Sequence, residues 1–119
     1  MLCLMISYNV REGQLQEYRK FLSSAEFSAI CKNIKKQSGF KWIETYFQII
    51  PSAHGEGDFD VYAVWEFPNM AAWDKARESN AFAELLERSY NMIEPRPTKF
   101  TLLRTARDVK IIYEPKPDK

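Results

Sequence analysis

The sequence predicts an α+β domain built on a four-stranded antiparallel sheet with two helical segments on one face. Three observations carry that prediction. Residues 2–6 and 61–65 are apolar at consecutive positions, so each reads as part of a strand covered on both faces. Each run leads into a segment whose apolar residues recur at helical spacing. Two more polar strand candidates complete the order strand, helix, strand, strand, helix, strand.

A chain of 119 residues fits one domain with a real hydrophobic core, placed here at residues 1–113, with 114–119 as a frayed, charged tail. With 45% hydrophobic residues, 28% charged residues and a net charge of +1, the composition is that of a soluble globular protein. It offers no broad electrostatic footprint for nucleic acid or an anionic membrane. No apolar run approaches the roughly 18 residues of a membrane span, and the opening MLCLMI has neither the basic residues nor the cleavage site of a signal peptide. A cytoplasmic protein that binds neither nucleic acid nor membrane is expected. Cys3 and Cys31 lack metal-type spacing and sit in apolar patterns, as core thiols do. A single histidine, His54, argues against an imidazole-built metal site.

Taken in order, residues 2–10 form the first central strand, and Arg11, Glu12 and Gly13 turn out of it. Leu15, Tyr18, Leu22 and Ala25 open a helix. Phe27, Ile30, Cys31 and Ile34 continue on a different azimuth, which predicts a kink or two short helices near Ser23. Ser23 and Glu26 have capping-box spacing for the second of these. Lys32, Lys35 and Lys36 suit the negative end of the helix dipole, and Gly39 supplies a stop.

Residues 40–50 alternate as an edge strand, with Phe40, Trp42, Tyr46 and Ile50 on one face and Ile43, Phe47 and Ile49 on the other. Residues 51–58, PSAHGEGD, form a loop. Glu56, Asp58 and Asp60 alternate as calcium ligands do but lack the later glutamate of a binding loop, so an ordinary acidic loop is expected. Residues 59–67 form the second central strand. Pro68 ends it, Asn69 caps a helix starting at Met70, and Met70, Trp73 and Ala76 give that helix its first face. Ser79 and Asn80 interrupt it and cap a continuation carrying Phe82, Leu85, Leu86 and Ile93, until Pro95 and Pro97 exclude further helix. Residues 99–105 return as a strand, and 109–113 suit a short edge strand or a swap onto a partner.

This order is the split βαβ of ferredoxin-like folds, βαββαβ, in which right-handed crossovers place strands one and three in the middle of the sheet. The helices cover one sheet face only. The apolar residues on the other need a partner, and a homodimer with its sheets packed face to face supplies it.

The passage VYAVWEFPNMAAWDKARESNAFAELLE, through Val64, Trp65, Trp73, Ser79 and Phe82, resembles the dimeric α+β barrel superfamily. That superfamily includes antibiotic-biosynthesis monooxygenases, heme-degrading monooxygenases and NIPSNAP-like proteins. By element order the resemblance runs over residues 2–105. The heme-degrading members use an asparagine late in the first strand, a tryptophan early in the second helix and a heme-ligating histidine further along it. Asn9 and Trp73 match, whereas the histidine's place falls at Leu85 or Leu86, so no heme or other cofactor is expected.

The cofactor-independent monooxygenases of the superfamily oxidise polyphenols in an apolar pocket. The resemblance then implies that Asn9 donates to a substrate oxygen and that Trp65 and Trp73 stack on the ring. Tyr18 or Tyr46 exchanges a proton, and Phe82 and Leu86 complete the pocket. Asn9 and Trp73 are the catalytic candidates. The alternative is a dimeric ligand-binding or stress-related module without catalysis, in which the same aromatic residues serve mainly as core.

Overall fold

A computed structural model describes residues 1–49 and 58–104. His54 with residues 51–57, the candidate strand at 109–113 and the tail at 114–119 lie outside the described residues. The elements are β1 (Leu2–Tyr8), α1 (Leu15–Leu22), α2 (Ala25–Ser38), β2 (Lys41–Phe47), β3 (Val61–Phe67), α3 (Met70–Glu78), α4 (Asn80–Ser89) and β4 (Lys99–Arg104). The strands lie in the order β2-β3-β1-β4 with every neighbouring pair antiparallel. The two strands that are apolar on both faces are therefore the central ones, and the fold is the ferredoxin-like α+β arrangement. No described helix is long and apolar enough to cross a membrane.

Pairing register decides what each face presents. Ile6 sits between Ala63 and Phe100, and Leu4 between Trp65 and Leu102, all on the face beneath the helices. Val61, Ala63, Trp65 and Phe67 are buried there, whereas Tyr62, Val64 and Glu66 lie half-buried on the opposite face. Phe40, just before β2, is completely buried; its ring stacks on Trp65 at 4.8 Å and meets Phe67, Trp73 and Phe82. This aromatic cluster joins the sheet to α3 and α4.

The first helical segment breaks into α1 and α2 beside Ser23, but the cap is its neighbour. Ser24, with extended backbone, accepts from Phe27 N through Oγ at 3.1 Å, whereas Ser23 closes α1 with its own N–H on Arg19 O and Lys20 O. Capping-box spacing from Ser23 is thus off by one residue. Ser24→Ala is expected to lower unfolding free energy by about 1 kcal/mol, and Ser23→Ala by less than half of that, in urea titrations. At the other end of α2, Gly39 adopts φ +82° and its N–H bonds to Lys35 O at 2.7 Å, which is the left-handed stop expected there.

In the second segment Asn69 accepts from Ala72 N, and Ser79 from Phe82 N, each at 3.1 Å, so both predicted caps are in place. The buried face of α3 is Ala72 and Ala76 rather than Met70, which is exposed. The Ala72 methyl and the Pro68 ring pack beside Gly39, each within 4 Å of where a side chain on that residue would begin. The α4 helix ends at Ser89 and does not run on to Ile93. Residues beyond it are drawn back to β1 instead: Ile93 bridges to Val10, Arg11 N donates to Met92 O at 2.9 Å, and Glu94 N to Asn9 O at 2.8 Å.

One irregularity matters for the site. Trp42 pairs with Trp65, but Glu44 then pairs with Val64 and Thr45 with Ala63, so the register shifts around Ile43. An extra residue in a strand resets its side-chain alternation. Trp42, Thr45 and Phe47 consequently share the helix-covered face, and Tyr46 points to the other face, where it is exposed. The plain alternation that grouped Tyr46 with Trp42 is corrected by this bulge.

Candidate ligand-binding site

Between the inner sheet face and the helices lies a cavity of about 550 Å³. Its floor is Ile6, Ala63 and Trp65, its walls include Tyr18 and Leu22 of α1 and Trp73, Phe82 and Leu85 of α3 and α4, and exposed Leu86, Tyr90 and Phe100 form a mouth. Two local choices leave this space open. Ala63 contributes only a methyl at the centre of β3, and the β2 bulge turns both Trp42 and Thr45 inward, where Trp42 Nε1 donates to Thr45 Oγ1 at 2.9 Å. The volume falls in the range of small-molecule sites, and apolar and aromatic surfaces dominate the lining.

Two buried phenols also line the cavity. Tyr8, at the end of β1, and Tyr18, on α1, are both buried, line the cavity and hydrogen-bond hydroxyl to hydroxyl, with their rings edge to face at 6.1 Å. Tyr18 also meets Phe47 edge to face. Burial pushes Tyr8 up to about 12 despite the favourable bond from Tyr18, and burial together with the proximity of Tyr8 pushes Tyr18 up as well. Neither is a phenolate base near neutral pH. Burial likewise raises the Cys31 thiol to about 12, which leaves it inert.

These shifts have a stability consequence. Between pH 10 and 12 the unfolded chain loses the Tyr8 proton while the folded chain keeps it, so the folded state binds more protons and stability falls as pH rises. The stabilisation from protonated Tyr8 is complete below pH 10 and is lost through the pKa of about 12. Urea midpoints measured from pH 8 to 12 are expected to drop across that window, and Tyr8→Phe with Tyr18→Phe to flatten the drop.

Two charged residues reach the cavity, and each has a partner. Arg77 is paired with Asp74 and lies over the Trp73 ring at 5.4 Å, and Glu94 lies 3.7 Å from Arg11. Among the described residues no three His, Cys, Asp or Glu side chains group so as to hold a metal ion.

Of the residues singled out from sequence, the cavity brings together Tyr18, Trp65, Trp73, Phe82 and Leu86. Asn9 and Tyr46 stand apart. Asn9 Oδ1 accepts from Asp60 N at 3.0 Å while Asp60 Oδ2 accepts from Val10 N at 3.0 Å, so Asn9 clamps the ends of β1 and β3 outside the cavity. Tyr46 is removed by the bulge described above. Sequence reasoning passed over Tyr8, although its even position with Leu2, Leu4 and Ile6 marks the same strand face. It also passed over Trp42 and the strap from Tyr90 to Thr98.

No protein-family model and no curated protein sequence matches the chain. Solved structures do. Protein Atu4242 of Agrobacterium tumefaciens, also described as a NIPSNAP family protein of unknown function, is 17% identical with a TM-score of 0.63, over 91% of this chain and 96% of its own. An uncharacterised NIPSNAP domain protein from Burkholderia xenovorans is 16% identical with a TM-score of 0.60, over 98% of this chain and all of its own. The chain shares the α+β fold of these structures. Protein At3g17210 of Arabidopsis thaliana is 8% identical with a TM-score of 0.68, over 93% of this chain and all of its own. At these identities the likeness is one of fold alone.

Proposed function

We propose that this protein is a homodimeric module that binds an apolar, ring-containing small molecule in the cavity between sheet and helices. The observation that carries the reading is the cavity lining: aromatic and aliphatic surface around a space of about 550 Å³, with one buried phenol pair in its wall. Trp42, Trp65 and Trp73 all border that space, so an aromatic ligand should quench their fluorescence saturably at one site per chain. Ala63→Leu, which places a branched side chain on the floor, is expected to abolish the quenching without unfolding the protein. Linear, unsaturable quenching across a panel of apolar aromatic compounds would sink the proposal.

Dimerisation is supported by the outer sheet face. Cys3, Met5 and Val64 are half-buried there, Tyr46 and Leu103 are exposed, and the described helices all lie on the other side. Ser7 Oγ and Thr101 Oγ1 on this face are buried without a hydrogen-bond partner. The superfamily resemblance points to a second copy as the cover.

A cofactor-independent monooxygenase is the second reading. It is favoured by the apolar cavity with Trp73 on its wall, and weakened by Asn9 lying outside it. Oxygen uptake with hydroquinones decides between the two, and the binding module predicts none above background.

A further inference from the structure

Two phenol hydroxyls bonded to each other use only one of their two hydrogens in that bond. The second needs another acceptor. Among the described residues the Tyr8 and Tyr18 hydroxyls bond only to each other, although the residues are just 8% and 4% exposed. An O–H left without an acceptor in apolar surroundings costs roughly 1–3 kcal/mol. Both tyrosines line the cavity, so an acceptor atom of a bound molecule can take that hydrogen up.

The remaining polar lining narrows the class. Trp42 Nε1 is committed to Thr45, and the Arg77 and Glu94 charges are committed to Asp74 and Arg11. No unpaired charge of the described lining therefore awaits a charged ligand. An anion entering the cavity would lose its hydration with no free cation to replace it. Resting on the reading of the cavity as a ligand site, we propose that the Tyr8–Tyr18 pair is its polar anchor and receives the carbonyl oxygen of an uncharged, largely apolar ring compound. Burial keeps both phenols protonated well beyond neutral pH, so the pair donates throughout the physiological range and orients the ligand rather than taking a proton from it.

Three probes of one shape test this: 2-acetylnaphthalene, 2-ethylnaphthalene and 2-naphthoate, titrated calorimetrically into the full chain and into Tyr8→Phe/Tyr18→Phe. Replacing both members of a hydrogen-bonded pair by apolar rings of the same shape is nearly neutral for stability, and binding of the ethyl compound verifies the fold. Each single variant leaves one hydroxyl able to donate, so the double variant is the informative one. The ketone is expected to bind the native chain about tenfold more tightly than the ethyl compound, with the ratio falling to about one in the double variant. Naphthoate is expected to bind at least tenfold more weakly than the ketone.

A preference for the ketone that survives in the double variant overturns the anchor and leaves the cavity reading standing. Failure of both neutral compounds to bind the native chain overturns both. Naphthoate binding as tightly as the ketone overturns the uncharged class. A measurement free of substitutions is the infrared carbonyl stretch of isotopically labelled 2-acetylnaphthalene bound to the native chain. It is expected to lie below its position in cyclohexane, and an unshifted band overturns the hydrogen bond.

Discussion

Phe40→Ala is expected to destabilise the fold by roughly 3–5 kcal/mol, the loss usual for a buried aromatic side chain replaced by alanine. Phe40 has no exposed surface and lies 4.8–6.1 Å, ring to ring, from Trp65, Phe67, Trp73 and Phe82. Rigid rings cannot collapse far into the vacated volume, so the void persists. The backbone around it is fixed as well: Gly39 holds its left-handed turn, and Phe40 N donates to Ser38 Oγ at 3.1 Å while Ser38 Oγ donates to Ile34 O at 2.6 Å. Phe40→Leu should recover about half of the loss. Urea unfolding at neutral pH measures both, and a loss below about 1 kcal/mol for alanine would show that the aromatic cluster is not the centre of the core.

Charge on the outer sheet face should have the next largest effect. Met5 and Val64 are cross-strand partners at the middle of that face, both half-buried in the isolated chain. In a face-to-face homodimer two lysines there would meet their own symmetry mates, and burying like charges without partners costs several kcal/mol. Met5→Lys/Val64→Lys is therefore expected to shift the protein from dimer to monomer mass in sedimentation velocity at micromolar concentration. The cavity on the opposite face should keep its ligand affinity. If the native chain itself sediments as a monomer, the proposed assembly is wrong.

Much of this architecture can be read from local chemistry. The uninterrupted apolar runs in β1 and β3 place those strands at the centre of the sheet, and Asn69, Ser79 and Gly39 announce helix ends through side-chain or backbone properties that act within a few residues. Where two such signals stand side by side, as at Ser23 and Ser24, only backbone geometry separates them. The bulge at Ile43 was not legible, because a shift of register exists only relative to the partner strand β3. It displaced Tyr46 from the predicted pocket and admitted Phe47 to the inner face.

The site was visible in part for the same reason. Trp65, Trp73, Phe82 and Tyr18 follow from strand parity and helical spacing, which put large rings on inward faces. Asn9 fits a turn and a site equally well by residue type. Its clamp on Asp60, 51 positions away, and its carbonyl bond to Glu94 are products of the assembled fold. The strap that borders the mouth is tied to the end of β1 by backbone hydrogen bonds, to which side-chain patterns are blind, and by the Arg11 side chain on Tyr90 O and Glu94.

The cavity draws its lining from Ile6 in the first strand to Phe100 in the fourth. A chain growing on the ribosome therefore lacks the complete chamber until β4 has emerged and paired with β1. A molecule that needs the whole lining binds the folded state and not the unfolded chain, and so stabilises the fold by mass action.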